Sequence, residues 1–159
     1  MKEFRKVAVG GTFDELHKGH RTLLMEAFRI GDRVLVGLSS DEFAQKMGKP
    51  HKTALYNVRL KELQTFLAKL KVAERAEVIP LNDPFGPTVT DMDIQALVVS
   101  EETKMSAGKI NTKRTEAGLK PIKIFSIGMV PSENCGPIST TRIRKGEMDR
   151  EGHLLTKRK

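Results

Sequence analysis

The sequence predicts an α/β fold built on a parallel sheet, and three observations carry the prediction. Short apolar runs alternate along the chain with segments of helical spacing, the pattern of strands joined by helical crossovers. The run from Arg33 through Val34, Leu35, Val36 and Gly37 to Leu38 is almost continuously apolar, as a parallel strand covered on both faces should be. Strand, helix and strand succeed one another within about 35 residues at the N-terminus, the compass of a βαβ unit.

The first strand is read over residues 6–9, where Val7, Ala8 and Val9 run straight into Gly10 and Gly11. A helix follows over 19–30, with Leu23, Ala27 and Ile30, joined by Leu24 and Phe28, on one face at three-to-four spacing. Gly31 and Asp32 read as its end, and the second strand takes 33–38. Ser39, Ser40 and Asp41 are suited to capping a short helix over 41–47, and 48–53 reads as a loop. Leu60, Leu63, Leu67 and Leu70 then stripe a helix over 57–70. The third strand is 77–81, with Pro80 near its end, and the turn-rich run 82–87 is a loop. A fourth strand over 96–100, a helix over 104–117 closed by Gly118, and a fifth strand over 122–127 complete the alternation. Residues 131–137 form a further loop, and Ser139 opens a last short helix. No apolar period continues beyond Gly146. The chain is read as a single domain over 1–159, of which 147–159 is a basic, frayed tail ending in Lys157, Arg158 and Lys159.

Composition narrows the function. With 159 residues, 38% hydrophobic and 30% charged, the chain has the balance of a globular protein in water. It contains no apolar run of membrane-spanning length and begins without an apolar signal core, so a cytoplasmic protein is expected. The single Cys135 excludes an internal disulfide and a CxxC pair. A net charge of +8 suits anionic partners, either nucleotides and phosphate esters or nucleic acid. One Tyr, no Trp and 5% aromatic residues supply a base-stacking surface poorly, so a nucleic-acid partner is not expected.

Ligands of such sheets sit beyond the carboxyl ends of the strands, near the switch in strand order, and the chemistry-bearing motifs all follow strands. The first is Gly10, Gly11, Thr12, Phe13, Asp14, Glu15, Leu16, His17, Lys18, Gly19, His20. Glycines at a strand-to-helix turn let backbone approach a phosphate. The helix start behind them offers N–H groups and a partial positive charge to an anion. His17 and His20 add donors where phosphate charge would lie. The second motif, Ser139, Thr140, Thr141 and Arg142, puts three hydroxyls and a forked guanidinium at a capped helix start, a compact cradle for polyphosphate.

The pattern His17-Lys18-Gly19-His20 resembles the HxGH signature of the nucleotidyltransferase superfamily, and residues 138–144 resemble its ISSTxxR motif with Thr140 for the second Ser. The two stand about 120 residues apart, in the order of that superfamily. A third stretch, Ser100, Glu101, Glu102, Thr103 and then Asn111, Lys113, Arg114, resembles the SEET…NxKR pattern of the archaeal and eukaryotic phosphopantetheine adenylyltransferases. The resemblance covers roughly 6–146. It implies a five-stranded, doubly wound, Rossmann-like sandwich, and adenylyl transfer from ATP to 4′-phosphopantetheine giving dephospho-coenzyme A and pyrophosphate, with Mg²⁺ held mainly by the ATP phosphates and no dedicated metal ligands.

The resemblance also implies roles. His17 and His20 are the catalytic pair. Gly10, Gly11, Thr12, Phe13, Gly19 and His20, with Ser139, Thr140, Thr141 and Arg142, bind ATP. Thr12, Lys49 or Lys52, Lys113 and Arg114 bind the acceptor. Bacterial relatives carry arginines after the fourth strand where this chain has Ser100 and Thr103, and Lys113 and Arg114 are the expected replacements. The same signatures serve nicotinamide mononucleotide adenylyltransferases and glycerol-3-phosphate cytidylyltransferases, and only the middle of the chain, 46–114, separates these. A basic nucleic-acid-binding domain that has lost the chemistry is the reading from another class. The sequence does not give the oligomeric state.

Overall fold

The computed structural model describes residues 2–46, 53–100, 103–127, 143 and 149–151. Its elements are β1 (Phe4–Gly11), α1 (Lys18–Ile30), β2 (Gly31–Ser39), α2 (Asp41–Lys46), α3 (Tyr56–Lys69), β3 (Ala76–Leu81), β4 (Ala96–Ser100), α4 (Lys104–Glu116) and β5 (Lys123–Ile127). Single 3₁₀ turns occupy Ala73–Arg75 and Gly86–Val89, the second beginning in the segment read as plain loop over 82–87.

The five strands are all parallel, in the order β3-β2-β1-β4-β5. The chain winds outward from β1 to β3 and then returns to the other side of β1. The switch in strand order therefore lies between β1 and β4. Strand alternation splits the core into two layers. Val7, Val9, Val34, Val36, Leu38, Ala96 and Val98 face α1 and α3, packing on Leu24, Ala27, Phe28, Leu63 and Leu67. Ala8, Leu35, Leu97 and Val99 face the opposite way, against Ala107 and Ile110 of α4 and Ile94. This is the doubly wound, Rossmann-like sandwich expected.

The elements differ in detail from the sequence reading, for physical reasons. β1 and β2 are longer than their apolar runs, because register pairing continues from Phe4↔Gly31 to Gly11↔Leu38. Gly31 does not lead into a spacer. It ends α1 and begins β2 at once, and a Cβ there would come within 2.6 Å of Val7 Cγ2, so only glycine lets the helix exit lie against β1. β3 ends at Leu81, as read, and takes in Pro80. Its missing N–H is tolerated because β3 is an edge strand. Of residues 147–159, Arg150 and Glu151 contact the start of α1.

Candidate active site

The first motif leaves β1 at the centre of the sheet, beside the switch point, and turns into α1. Phe13 and Glu15 both take positive φ (50° and 52°), a left-handed backbone that side chains rarely adopt. Phe13 is 1% exposed, with its ring beneath Gly11 and edge-on to His20 at 5.4 Å. Its ring is thus part of the floor beneath the first motif. Leu16 and Asp14 are buried beside it.

His17 is the N-cap of α1. Its Nδ1 accepts from Gly19 N–H (3.1 Å) and His20 N–H (3.3 Å), while His20 Nδ1 accepts from His17 N–H (3.3 Å). This is a reciprocal capping box in which imidazoles replace the usual hydroxyl and carboxylate. An imidazole accepts at Nδ1 only as the neutral ring with its proton on Nε2. Both rings therefore present Nε2–H as donors. They stack at 3.6 Å between centroids, 18° from parallel, so the two donors form one unit.

The capping box revises how the helix start works. The sequence suggests that the α1 amides bind an anion directly. In the structure Lys18 N–H donates to Arg150 O (2.7 Å), and the next two amides donate to His17. The histidine rings take the N–H groups of the helix start at Nδ1. The positive end of the helix dipole lies directly behind them. Gly19 serves the same geometry. A Cβ there would lie 2.9 Å from His17 Cε1, so the glycine makes room for the imidazole.

Arg59 is the residue that sequence reasoning missed. Its side chain is wholly buried, on the inner face of α3 one turn before Leu63. Nη1 donates to Ser39 O (2.7 Å) and Thr12 O (3.0 Å), Nε to Ala54 O (2.7 Å), and Nη2 to Asp41 Oδ1 (3.0 Å). One guanidinium thereby ties the carboxyl ends of β1 and β2 to the segment entering α3. Asp14 strengthens the tie by accepting from Ala54 N–H (3.2 Å), and Asp41 Oδ1 also accepts from Tyr56 N–H (2.7 Å). Burial pushes the nearby Tyr56 phenol up, with the Arg59 charge acting the other way. The available signal was a single arginine inside a leucine stripe.

The remaining expected residues divide into three groups. Gly10 and Gly11 pair with Gly37 and Leu38 at the carboxyl end of β1, and Thr12 lies half-buried just beyond. Ser100 ends β4 on the same edge of the sheet and donates its N–H to Thr103 Oγ1 (3.2 Å). Lys49, Lys52, Ser139, Thr140, Thr141 and Arg142 lie outside the described residues, as do Glu101 and Glu102.

Lys113 and Arg114 are not brought to this edge. Nine residues of α4 separate Lys113 from Lys104, carrying it about 14 Å down the sheet at 1.5 Å per residue. Arg114 is 1% exposed and donates to Lys120 O (2.7 Å), Thr88 O (2.7 Å) and Asp91 O (2.9 Å). Lys113 Nζ lies 5.1 Å from the centre of the Phe85 ring. The structure gives Arg114 a scaffold position, with its guanidinium engaged by the carbonyls of Lys120, Thr88 and Asp91.

Among the described residues no group of three or more His, Cys, Asp or Glu side chains could hold a metal ion. The two carboxylates of the first motif are engaged elsewhere, Asp14 with Ala54 and Glu15 with Arg150. No described helix is long and apolar enough to cross a membrane.

A doubly wound parallel sheet with a stacked histidine pair at its switch point defines the class, a nucleotidyltransferase, and the cytidylyltransferase-like family model matches residues 8–146. The phosphopantetheine adenylyltransferase of Methanothermobacter thermautotrophicus is 46% identical over 97% of this chain and 92% of its own length. That of Methanosarcina mazei is also 46% identical, over 94% of this chain and 96% of its own. A crystal structure of an Archaeoglobus fulgidus protein of unknown function superimposes with a TM-score of 0.70 at 34% identity, covering 77% of this chain and 88% of that one. Within the wider family, the chain belongs to the phosphopantetheine adenylyltransferases.

Proposed function

We infer that the chain transfers the adenylyl group of ATP to 4′-phosphopantetheine, giving dephospho-coenzyme A and pyrophosphate, in coenzyme A biosynthesis. The observation that carries the mechanism is the histidine pair, held by backbone amides so that both Nε2–H groups are donors. The acceptor phosphate is ionised at neutral pH and attacks the α-phosphorus in line, so no protein nucleophile or general base is required. Catalysis is then positioning plus stabilisation of the charge that grows on the phosphoryl oxygens.

In this reading His20 Nε2–H donates to the α-phosphate and His17 Nε2–H to the leaving side, with the α1 dipole behind both. Gly10, Gly11 and Thr12 line the nucleotide at the end of β1. Ser139, Thr140 and Thr141 grip the β- and γ-phosphates with Arg142 and with Arg144, which stands at the arginine position of the motif. Mg²⁺ arrives as part of the nucleotide, bound chiefly through its phosphates. Lys49 or Lys52 takes the acceptor phosphate. Both precede Ala54, whose amide is bonded to Asp14 of the first motif. The protein works in the cytoplasm, where ATP and the acceptor are available.

The test is pyrophosphate release from ATP and Mg²⁺ with and without 4′-phosphopantetheine. Release that requires this acceptor, with dephospho-coenzyme A as product, is the expected result. Equal release with nicotinamide mononucleotide, or release from CTP with glycerol 3-phosphate, would replace the acceptor assignment.

A further inference from the structure

Three contacts converge on Arg150 that the motifs do not explain. Its guanidinium holds Glu15 Oε2 through Nη2 (2.8 Å) and Nε (3.1 Å), and holds Glu62 Oε1 on α3 through Nη1 (2.6 Å). Its carbonyl accepts the Lys18 amide, the first of α1, at 2.7 Å. The neighbouring Glu151 carboxylate pairs with Arg21, one residue beyond His20. Burial works against the Arg150 charge, but the Glu62 and Glu15 carboxylates outweigh it and hold the guanidinium above its ordinary value.

These contacts act on a strained element. Glu15, gripped by the fork, is one of two left-handed residues in the turn that delivers His17 and His20. Such a backbone persists only where its surroundings over-determine it. Arg150 ties that turn to α3 on one side and caps α1 on the other. It also neutralises a carboxylate two residues from His17, which would otherwise oppose an incoming polyphosphate. Exposed ion pairs of this kind contribute little to global stability, and the Arg150 side chain is 44% exposed. The network therefore bears on the local geometry of the histidines more than on the fold.

We propose that Arg150 is a positioning residue for adenylyl transfer, which sets the histidine pair by clamping the Phe13–Glu15 turn to α3 and capping α1 with its own carbonyl. The proposal rests on the reaction inferred above. The test compares wild type, Arg150→Met and Arg150→Lys in steady-state assays, with nitrogen-15 imidazole spectra and melting curves of each. Arg150→Met should lower kcat about ten- to hundredfold, the scale expected of a misplaced catalytic group. The ATP KM should stay within about threefold, since ground-state binding is spared. The melting temperature should move by no more than about 3 °C. The His17 and His20 resonances should shift or broaden, and Arg150→Lys should recover part of kcat.

A kcat within about twofold of wild type, or imidazole spectra identical to wild type, overturns the proposal. So does a loss of rate that follows loss of folded protein. Should Arg150→Met not fold, Glu62→Gln removes the α3 anchor alone, and the same split between kcat and KM decides. If wild type makes no dephospho-coenzyme A, the acceptor reading fails separately. The imidazole spectra of the variants still decide the role of Arg150.

Discussion

Two arginines, Arg59 and Arg114, are almost completely buried, and each gathers three backbone carbonyls, Arg59 holding the Asp41 carboxylate as well. Arg59 sits under the carboxyl edge of the sheet and joins β1, β2 and the entry to α3. Arg114 sits toward the other edge and joins the end of α4 to the segment leading into β4. The chemistry is the same at both ends. What differs is what the gathered carbonyls belong to. Thr12, whose carbonyl accepts from Arg59, is part of the turn that delivers the histidines, while Thr88 and Asp91 lie on the β3–β4 crossover. A buried arginine is therefore a statement about local scaffolding, and its relation to catalysis depends on which loop it holds.

Substitutions sharpen this contrast, and the largest effect belongs to the histidines above Arg59. His20→Ala should lower kcat by about 10²–10³, the usual consequence of removing one transition-state donor, with the fold retained. Near-normal kcat would remove the histidine pair from the mechanism. Gly19→Ala follows. The added Cβ displaces the His17 ring, so kcat should fall about tenfold or more. Melting should change little, because the gain of about 1 kcal/mol for Ala over Gly in a helix offsets a weakened cap.

The arginines themselves come next. Arg59→Met and Arg114→Met should each cost about 2–4 kcal/mol in denaturant unfolding, because several buried acceptors lose their donors. Only Arg59→Met should also lower kcat of the folded enzyme. A comparable fall in kcat for Arg114→Met would return Arg114 to the site and dissolve the contrast.

The smallest effect is at Asp91, beside Arg114. Burial pushes its carboxyl up, but hydrogen bonds from Lys6 Nζ (2.6 Å) and Asp93 N–H and the charges of Lys6 and Arg114 outweigh this and leave it below the usual carboxylate range. A lowered carboxylate adds stability above its unfolded value and loses it as pH falls through the folded value. Unfolding of Asp91→Asn should therefore depend less steeply on acid pH, by about 1 kcal/mol or less.

The strands and helices were legible because each is long enough for its apolar period to show, and the all-parallel order follows from their alternation. The histidine motif was legible from its place after β1. Its inner workings were not, since the pattern HxGH does not say that Nδ1 of each ring is taken by a backbone amide. Lys113 and Arg114 were expected at the acceptor from a family pattern, and such a pattern does not show that they lie near the far end of a thirteen-residue helix from Ser100. Arg59 was overlooked because a charge within a leucine stripe reads as a break in the core until its carbonyl partners are visible. The Arg150 contacts join residues more than 85 positions apart, which no local pattern encodes.

The central claim is that α1 reaches phosphate through Nε2–H of His17 and His20, with Nδ1 fixed by backbone. Nitrogen-15 imidazole spectra of wild type, recorded with and without MgATP, test it most directly. The account predicts two Nδ1 signals that stay at acceptor positions and two Nε2–H signals that move on binding. Nucleotide binding that leaves both Nε2 signals unmoved, or that places a proton on Nδ1, would contradict it.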